Sequence, residues 1–130
     1  MSSSERPLSP HLQVYRWRVS MFTSIAHRAS GVFLSLGAPV LVGWLIAAAA
    51  SPEYFDYING LLGSMLGKLA LLGWTLAFFY HIANGVRHLF WDIGAGFEKP
   101  VYRTTAWLAI AFAIGATAYV WAPIFMGGAA

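Results

Sequence analysis

Three long stretches of this chain carry no formal charge, and they dictate what it can fold into. The first runs from Ala29 to Ala50, the second lies between Lys68 and Arg87, and the third runs from Thr104 to Met126. About 20 consecutive apolar residues suffice for a helix to cross a bilayer. In hydrocarbon every backbone N–H and C=O must be satisfied within the protein, which leaves helices as the spanning structure for isolated segments. Hydrophobic residues make up 58% of the sequence and charged residues 10%, against roughly a quarter charged in soluble domains. Too little polar surface is available to keep a globule in water. The expected fold is an all-α membrane protein with three transmembrane helices running up-down-up. The spans are placed at about 29–50, 66–90 and 104–126. A segment 1–28 forms the N-terminal region and entry to the first helix, and residues 29–126 form the anchor domain.

Two short polar links separate the spans: Ser51–Asn59, with Pro52, Glu53 and Asp56, and Trp91–Tyr102, with Gly94, Gly96, Lys99 and Pro100. Both read as turns. Arg6, Arg16, Arg18 and Arg28 precede the first span, and Arg87, Lys99 and Arg103 surround the second link. By the positive-inside rule the N-terminus and second link face the cytoplasm or the mitochondrial matrix. Trp17, Trp91 and Trp121 fall near span ends, as interfacial aromatics do. Gly63 and Gly67, and more loosely Gly31 and Ser35, stand at the spacing that lets helices approach closely.

The net charge of +3 is spread along the chain, so nucleic-acid binding is not indicated. Without cysteine the chain forms no disulfide and offers no thiolate to zinc or an iron–sulfur cluster. No carboxylate lies deep in a span, which disfavours a proton- or cation-coupled transporter.

The end of the second span is rich in chemistry. At about 100° per residue, His81, Gly85, His88 and Asp92 share one helical stripe, and Gly85 opens a gap where a flat ligand could approach the backbone. Lys68 and Arg87 stand roughly 28 Å apart along a helix, close to the hydrocarbon thickness, with His81 about 9 Å inside the Arg87 level. A neutral imidazole at that depth suits haem iron. It also suits a plain hydrogen-bonded histidine between helices, and both readings stand. Arg87 and His88, nearer the interface, are placed to meet haem propionates, or simply to meet water and headgroups. His88 shares a helix with His81 and cannot face it across a ring; His11 lies in the polar tail and His27 near the interface. A second axial ligand is therefore expected from another chain, unless the N-terminal segment folds back.

The entry to the first span reads Ser24-Ile25-Ala26-His27-Arg28-Ala29-Ser30-Gly31. On a helix Ser24, His27 and Arg28 share a face. A hydroxyl and a guanidinium at the inner boundary can each donate to a quinone carbonyl, and a cation favours the reduced anionic forms. The plainer reading is a helix cap and a topology-setting arginine.

Taken together, these motifs resemble the cytochrome b556 membrane-anchor subunits of succinate dehydrogenase. The resemblance rests on Arg6-Pro7-Leu8-Ser9-Pro10-His11-Leu12, Tyr15, Ser24 to Gly31, and His81-x-x-x-Gly85-x-Arg87-His88-x-x-x-Asp92, about a third of the chain. It implies one b-type haem with His81 as axial ligand to the iron and the other ligand on a second anchor subunit. It implies Ser24 and Arg28 at the quinone site, and His27, Arg28 and His88 around the haem propionates. The partners implied are a flavoprotein that oxidises succinate and an iron–sulfur protein that passes electrons on, with ubiquinone as acceptor. The location implied is the bacterial inner (cytoplasmic) membrane, or the mitochondrial inner membrane. Rival readings are an anchor of a fumarate reductase-type enzyme and a cofactor-free structural or assembly subunit.

Overall fold

A computed structural model describes residues 19–127. Four helices follow one another: α1 (Val19–Ala50), α2 (Pro52–Gly63), α3 (Met65–Asp92) and α4 (Lys99–Phe125). The expected opening motif Arg6–Leu12, Tyr15, His11, Trp17 and the cations Arg6, Arg16 and Arg18 lie outside the described residues. Three helices are long and apolar enough to cross a membrane: Met21–Ala50, Met65–Asp92 and Lys99–Phe125. The all-α, three-span expectation therefore holds, with boundaries that differ from the charge-based ones. α1 begins ten residues ahead of Ala29, so the whole Ser24–Gly31 segment is helical. α4 begins at Lys99, with Pro100 in its first turn, where a missing N–H costs no hydrogen bond.

The first link is not a turn. Ser51 caps α2 by accepting a hydrogen bond from the Glu53 amide at 3.2 Å, Pro52 opens the helix, and Glu53 sits in the first turn, where a carboxylate favours the helix dipole. Those signals are present in Ser51-Pro52-Glu53 and outweigh the loop-like composition. α2 buries none of its residues and is tied to α1 by the Trp44 Nε1 bond to Asn59 Oδ1 at 2.8 Å.

Ser64 turns the corner into α3. Its hydroxyl donates to the Leu61 carbonyl at 2.6 Å and accepts from the Gly67 amide at 3.1 Å, so one residue closes one helix and caps the next. Gly63 and Gly67 thus belong to different helices and do not form one small-residue face. A Cβ on Gly67 would stand 2.3 Å from the Leu61 carbonyl oxygen, whereas one on Gly63 would meet nothing within 4 Å. α3 ends in a Schellman motif: the Ala95 amide bonds the Phe90 carbonyl, the Gly94 amide bonds that of Trp91 (both 2.9 Å), and Gly94 takes φ +82°.

Packing is inverted relative to a soluble domain. Phe22, Leu36, Leu45, Leu66, Leu108 and Tyr119 are among many exposed large apolar residues, while the most enclosed large side chains are Asn84 and Thr23, each 1% exposed. α4 presents Ala106, Ala109, Ala113, Thr117 and Trp121 inward, a mostly small face that lets it lie close to α3. Trp121 Nε1 donates to Thr75 Oγ1 at 3.2 Å across that seam. Gly37 does the same for α1, since a Cβ there would overlap the Trp74 indole at 2.0 Å.

Replacing Gly67 with Ala should destabilise the protein by about 1–3 kcal/mol, because the new methyl meets backbone that cannot swing away. Gly63→Ala should be near neutral. Thermal unfolding of the two variants in detergent checks the contrast, and equal losses would restore the single-motif reading.

Candidate cofactor and quinone site

A buried polar network joins α1, α3 and α4 at the Arg87 end of α3. Tyr80 Oη donates to the Thr23 carbonyl at 2.7 Å, and Asn84 Nδ2 reaches the same oxygen at 3.4 Å. Asn84 Oδ1 accepts from Arg87 Nη1. Arg87 continues through Nη2 to the Tyr102 carbonyl at 3.2 Å and through Nε to Thr105 Oγ1 at 3.1 Å. Its guanidinium lies 4.8 Å from the Trp91 ring centroid and 5.4 Å from that of Tyr102. Only 6% of Arg87 is exposed. An unpaired arginine in a span costs roughly 2.5–3.5 kcal/mol or more, so this degree of satisfaction is what makes the residue tolerable there. The expectation that Arg87 meets haem propionates is therefore corrected: it is turned toward α4 and consumed by that interface.

On the other side of α3 three histidines gather. His27 of α1 stacks on His81, with centroids 4.1 Å apart and planes 8° from parallel, and on His88 at 4.8 Å and 20°. His27 therefore reaches inward between the two, and it fills the space over Gly85, where a Cβ would sit 3.9 Å from His27 Cε1. The gap expected at Gly85 is occupied by an imidazole. Rings stacked face to face cannot aim nitrogens at one iron from opposite sides, so His27 is not positioned as a second axial ligand to His81. Among the described residues no three His, Cys, Asp or Glu side chains form a metal-binding group.

Hydrogen bonds set the imidazole tautomers. Ser30 Oγ donates its only proton to the His27 carbonyl at 2.7 Å and lies 3.1 Å from His81 Nδ1. Having spent its proton, the hydroxyl can only accept from His81, so His81 carries its proton on Nδ1 and leaves a lone pair on Nε2. His88 Nδ1 lies 2.8 Å from the Asn84 carbonyl, which accepts only, so His88 too is protonated on Nδ1. His27 Nδ1 is buried and has no hydrogen-bond partner among the described residues. An unpartnered acceptor is easier to tolerate than an unpartnered N–H, which favours the His27 tautomer with its proton on Nε2.

Ser24 and Arg28 lie on the exposed side of α1, about 60° and 100° around the helix from His27. Both are exposed, and neither bonds to another described residue. The fold thus brings His27, His81 and His88 together and leaves Ser24 and Arg28 exposed, outside that cluster. Asp92 is exposed at the end of α3. A cavity of about 630 Å³ is at the other end of the bundle, lined by Phe33, Leu36, Trp44, Trp74 and Trp121 with Lys68 at one side. It touches none of these residues. Ser30 and Asn84 were missed as site residues; their signal is a polar side chain one or two turns from a histidine on an otherwise apolar helix.

Comparison with known proteins shows the family. Residues 2–120 match the family model described as succinate dehydrogenase/fumarate reductase transmembrane subunit. This chain belongs to that family. The cytochrome b556 subunit of succinate dehydrogenase from Rickettsia felis is 37% identical over 118 residues, which cover 91% of this chain and 92% of the relative. That of Paracoccus denitrificans is 43% identical over 98 residues, 75% of each chain. The mitochondrial cytochrome b560 subunit of Sus scrofa is 38% identical over 99 residues, 75% of this chain and 59% of the relative. The family match spans every candidate residue from Ser24 to Asp92. Membership makes the chain a membrane-spanning subunit of a succinate dehydrogenase-type complex.

Arg87→Leu should lower stability by about 1–3 kcal/mol by leaving Asn84 Oδ1 without its Arg87 donor, while the Tyr102 carbonyl keeps the Thr105 hydroxyl. Arg28→Leu, which breaks no hydrogen bond to another described residue, should lower the unfolding midpoint of the purified complex less than Arg87→Leu does. Equal midpoints for wild type and Arg87→Leu would show that the network contributes nothing.

Proposed function

We propose that this chain is the haem b-carrying membrane anchor of a succinate:ubiquinone oxidoreductase, and that it contributes one wall of the quinone-reduction site. The observation that carries the reading is the 3.1 Å contact of His81 Nδ1 with Ser30 Oγ, whose proton goes to the His27 carbonyl: it calls for Nδ1–H and a free lone pair on Nε2, the state in which histidine binds iron. The residues fit the group. His81 would hold the iron, and a second anchor subunit would supply the opposite ligand. His27, with an N–H on Nε2, and Arg28 would donate to the propionates. His88 has Nδ1 engaged with Asn84, so it would donate to a propionate through Nε2 only as the imidazolium. When bound, the haem supplies a one-electron relay, and the protein supplies binding, orientation and electrostatics.

Ser24 and Arg28 stand a turn apart on the exposed face of α1. They would bind quinone by donating to a carbonyl oxygen, and the guanidinium would favour negative charge as it develops there. Because this face is open in the single chain, the site is completed by neighbouring subunits: the second anchor and the iron–sulfur protein that delivers electrons taken from succinate by the flavoprotein. The positive-inside rule puts this end of the bundle at the cytoplasmic side of a bacterial inner membrane. Ubiquinone as acceptor follows from the resemblance of the opening segment, and the relatives named as succinate dehydrogenase subunits favour succinate oxidation over the reverse reaction.

The test uses the complex isolated from native membranes through a tag on this chain. A succinate-reduced minus oxidised difference spectrum should show a b-type haem band. Arg28→Leu should lower succinate:quinone activity by an order of magnitude or more while leaving the haem band unchanged. His81→Ala should lose or alter the haem. Intact quinone turnover in Arg28→Leu would remove that residue from the site, and an absent band in wild type would leave a cofactor-free anchor.

A further inference from the structure

Ser30 holds a place that neither the quinone face nor the propionate neighbours explain. It is 7% exposed, on the α1 face turned to α3, and its hydroxyl is bonded on both sides. We propose that Ser30 is the positioning residue for the haem ligand, fixing the tautomer and ring orientation of His81 through its Nδ1–H bond. The inference rests on the reading of His81 as the iron ligand.

The His81 ring is held on three sides. His27 lies flat on one face at 4.1 Å. Ser30 Oγ takes the Nδ1 edge at 3.1 Å. Gly31 closes against Cε1, where even a methyl group would stand only 3.0 Å away. The remaining nitrogen, Nε2, has no bonded partner among the described residues. Two of the three restraints come from adjacent residues, Ser30 and Gly31, so the pitch of α1 against α3 sets the ring angle directly. The direction of the hydrogen bond matters as much as its presence. Ser30 gives its proton to the His27 carbonyl, a helix back-bond that prevents the hydroxyl from donating to His81. If the hydroxyl donated instead, it would favour the tautomer with its proton on Nε2, which cannot bind iron. A ligating histidine whose other N–H is accepted by an oxygen is a richer electron donor to its metal, which favours the oxidised iron.

Removing that acceptor should therefore raise the haem midpoint potential. The experiment is a redox titration of the haem, with low-temperature electron paramagnetic resonance of the oxidised form, on the intact complex carrying Ser30→Ala, Ser30→Thr or His81→Ala. Ser30→Ala should bind haem, shift the potential upward and move the low-spin g-values. Ser30→Thr, which keeps a hydroxyl able to back-bond, should return both toward wild type. A purely space-filling serine predicts no shift in either reading once the complex is assembled. If Ser30→Ala does not assemble, Ser30→Cys keeps most of the volume but offers only a weak acceptor, and it should shift the same way. Unchanged potential and g-values in Ser30→Ala, with haem still lost or altered in His81→Ala, would overturn the role of Ser30 and leave the haem reading standing. Unchanged haem in His81→Ala would overturn both.

Discussion

Everything in this bundle depends on one interaction: Arg87 reaching Asn84 inside a protein whose solvent is hydrocarbon. Water is not present to rescue a stranded donor or acceptor, so polar groups within the spans must find partners in the protein. The result is a bundle whose most enclosed large side chains, Asn84 and Thr23, are polar, while leucines and phenylalanines face outward. Asn84 is the joint. Its amide nitrogen reaches α1 at Thr23, its amide oxygen accepts a hydrogen bond from Arg87, and Arg87 carries the connection to Tyr102 and Thr105 on α4. Small residues such as Ala106, Ala109 and Ala113 let the helices approach, but they are not directional. The hydrogen bonds choose which register that approach adopts.

The same residue couples fold to site. Asn84 lies between His81 and His88 on α3, and its backbone carbonyl accepts from His88 Nδ1 while its side chain locks α1. Once α1 is fixed at Thr23, the residues one and two turns on, His27 and Ser30, are carried to His81. The inward face of α1, Thr23, His27 and Ser30, organises this chain's own histidines. The outward face, Ser24 and Arg28, is left for something else. On the proposed reading one helix would serve both a cofactor ligand and an external binding surface from adjacent sides, with Arg28, about 100° around the helix from His27, the side chain that both would draw on.

Much of this was legible in the chain itself. Charge-free stretches of spanning length force helices in lipid, whatever their neighbours do, and the three spans follow. Ser51-Pro52-Glu53 carried a helix start that turn-rich composition obscured, so α2 was the element missed. Gly63 and Gly67 misled because spacing alone does not reveal a helix break; Ser64 capping both sides is a three-dimensional fact. His81, Gly85 and His88 share a stripe by helical arithmetic. No arithmetic says which of His88, Arg87 and Asn84 turns toward α1 and which toward α4.

By itself, then, the sequence determined that the chain spans a membrane three times, that its chemistry lies at one end, and that two motifs carry a family relationship. These follow from hydropathy, charge and local periodicity, which need no knowledge of the partner helix. The tertiary structure alone decided that Arg87 ties helices together, that His27 reaches inward to stack on His81, and that Ser30 orients that ring. Those outcomes depend on distances between residues on different helices, from 15 positions apart for Arg87 and Tyr102 to 51 for Ser30 and His81 and 61 for Thr23 and Asn84. Hydrogen-bond direction is a property of the pair, and neither member of the pair declares it alone.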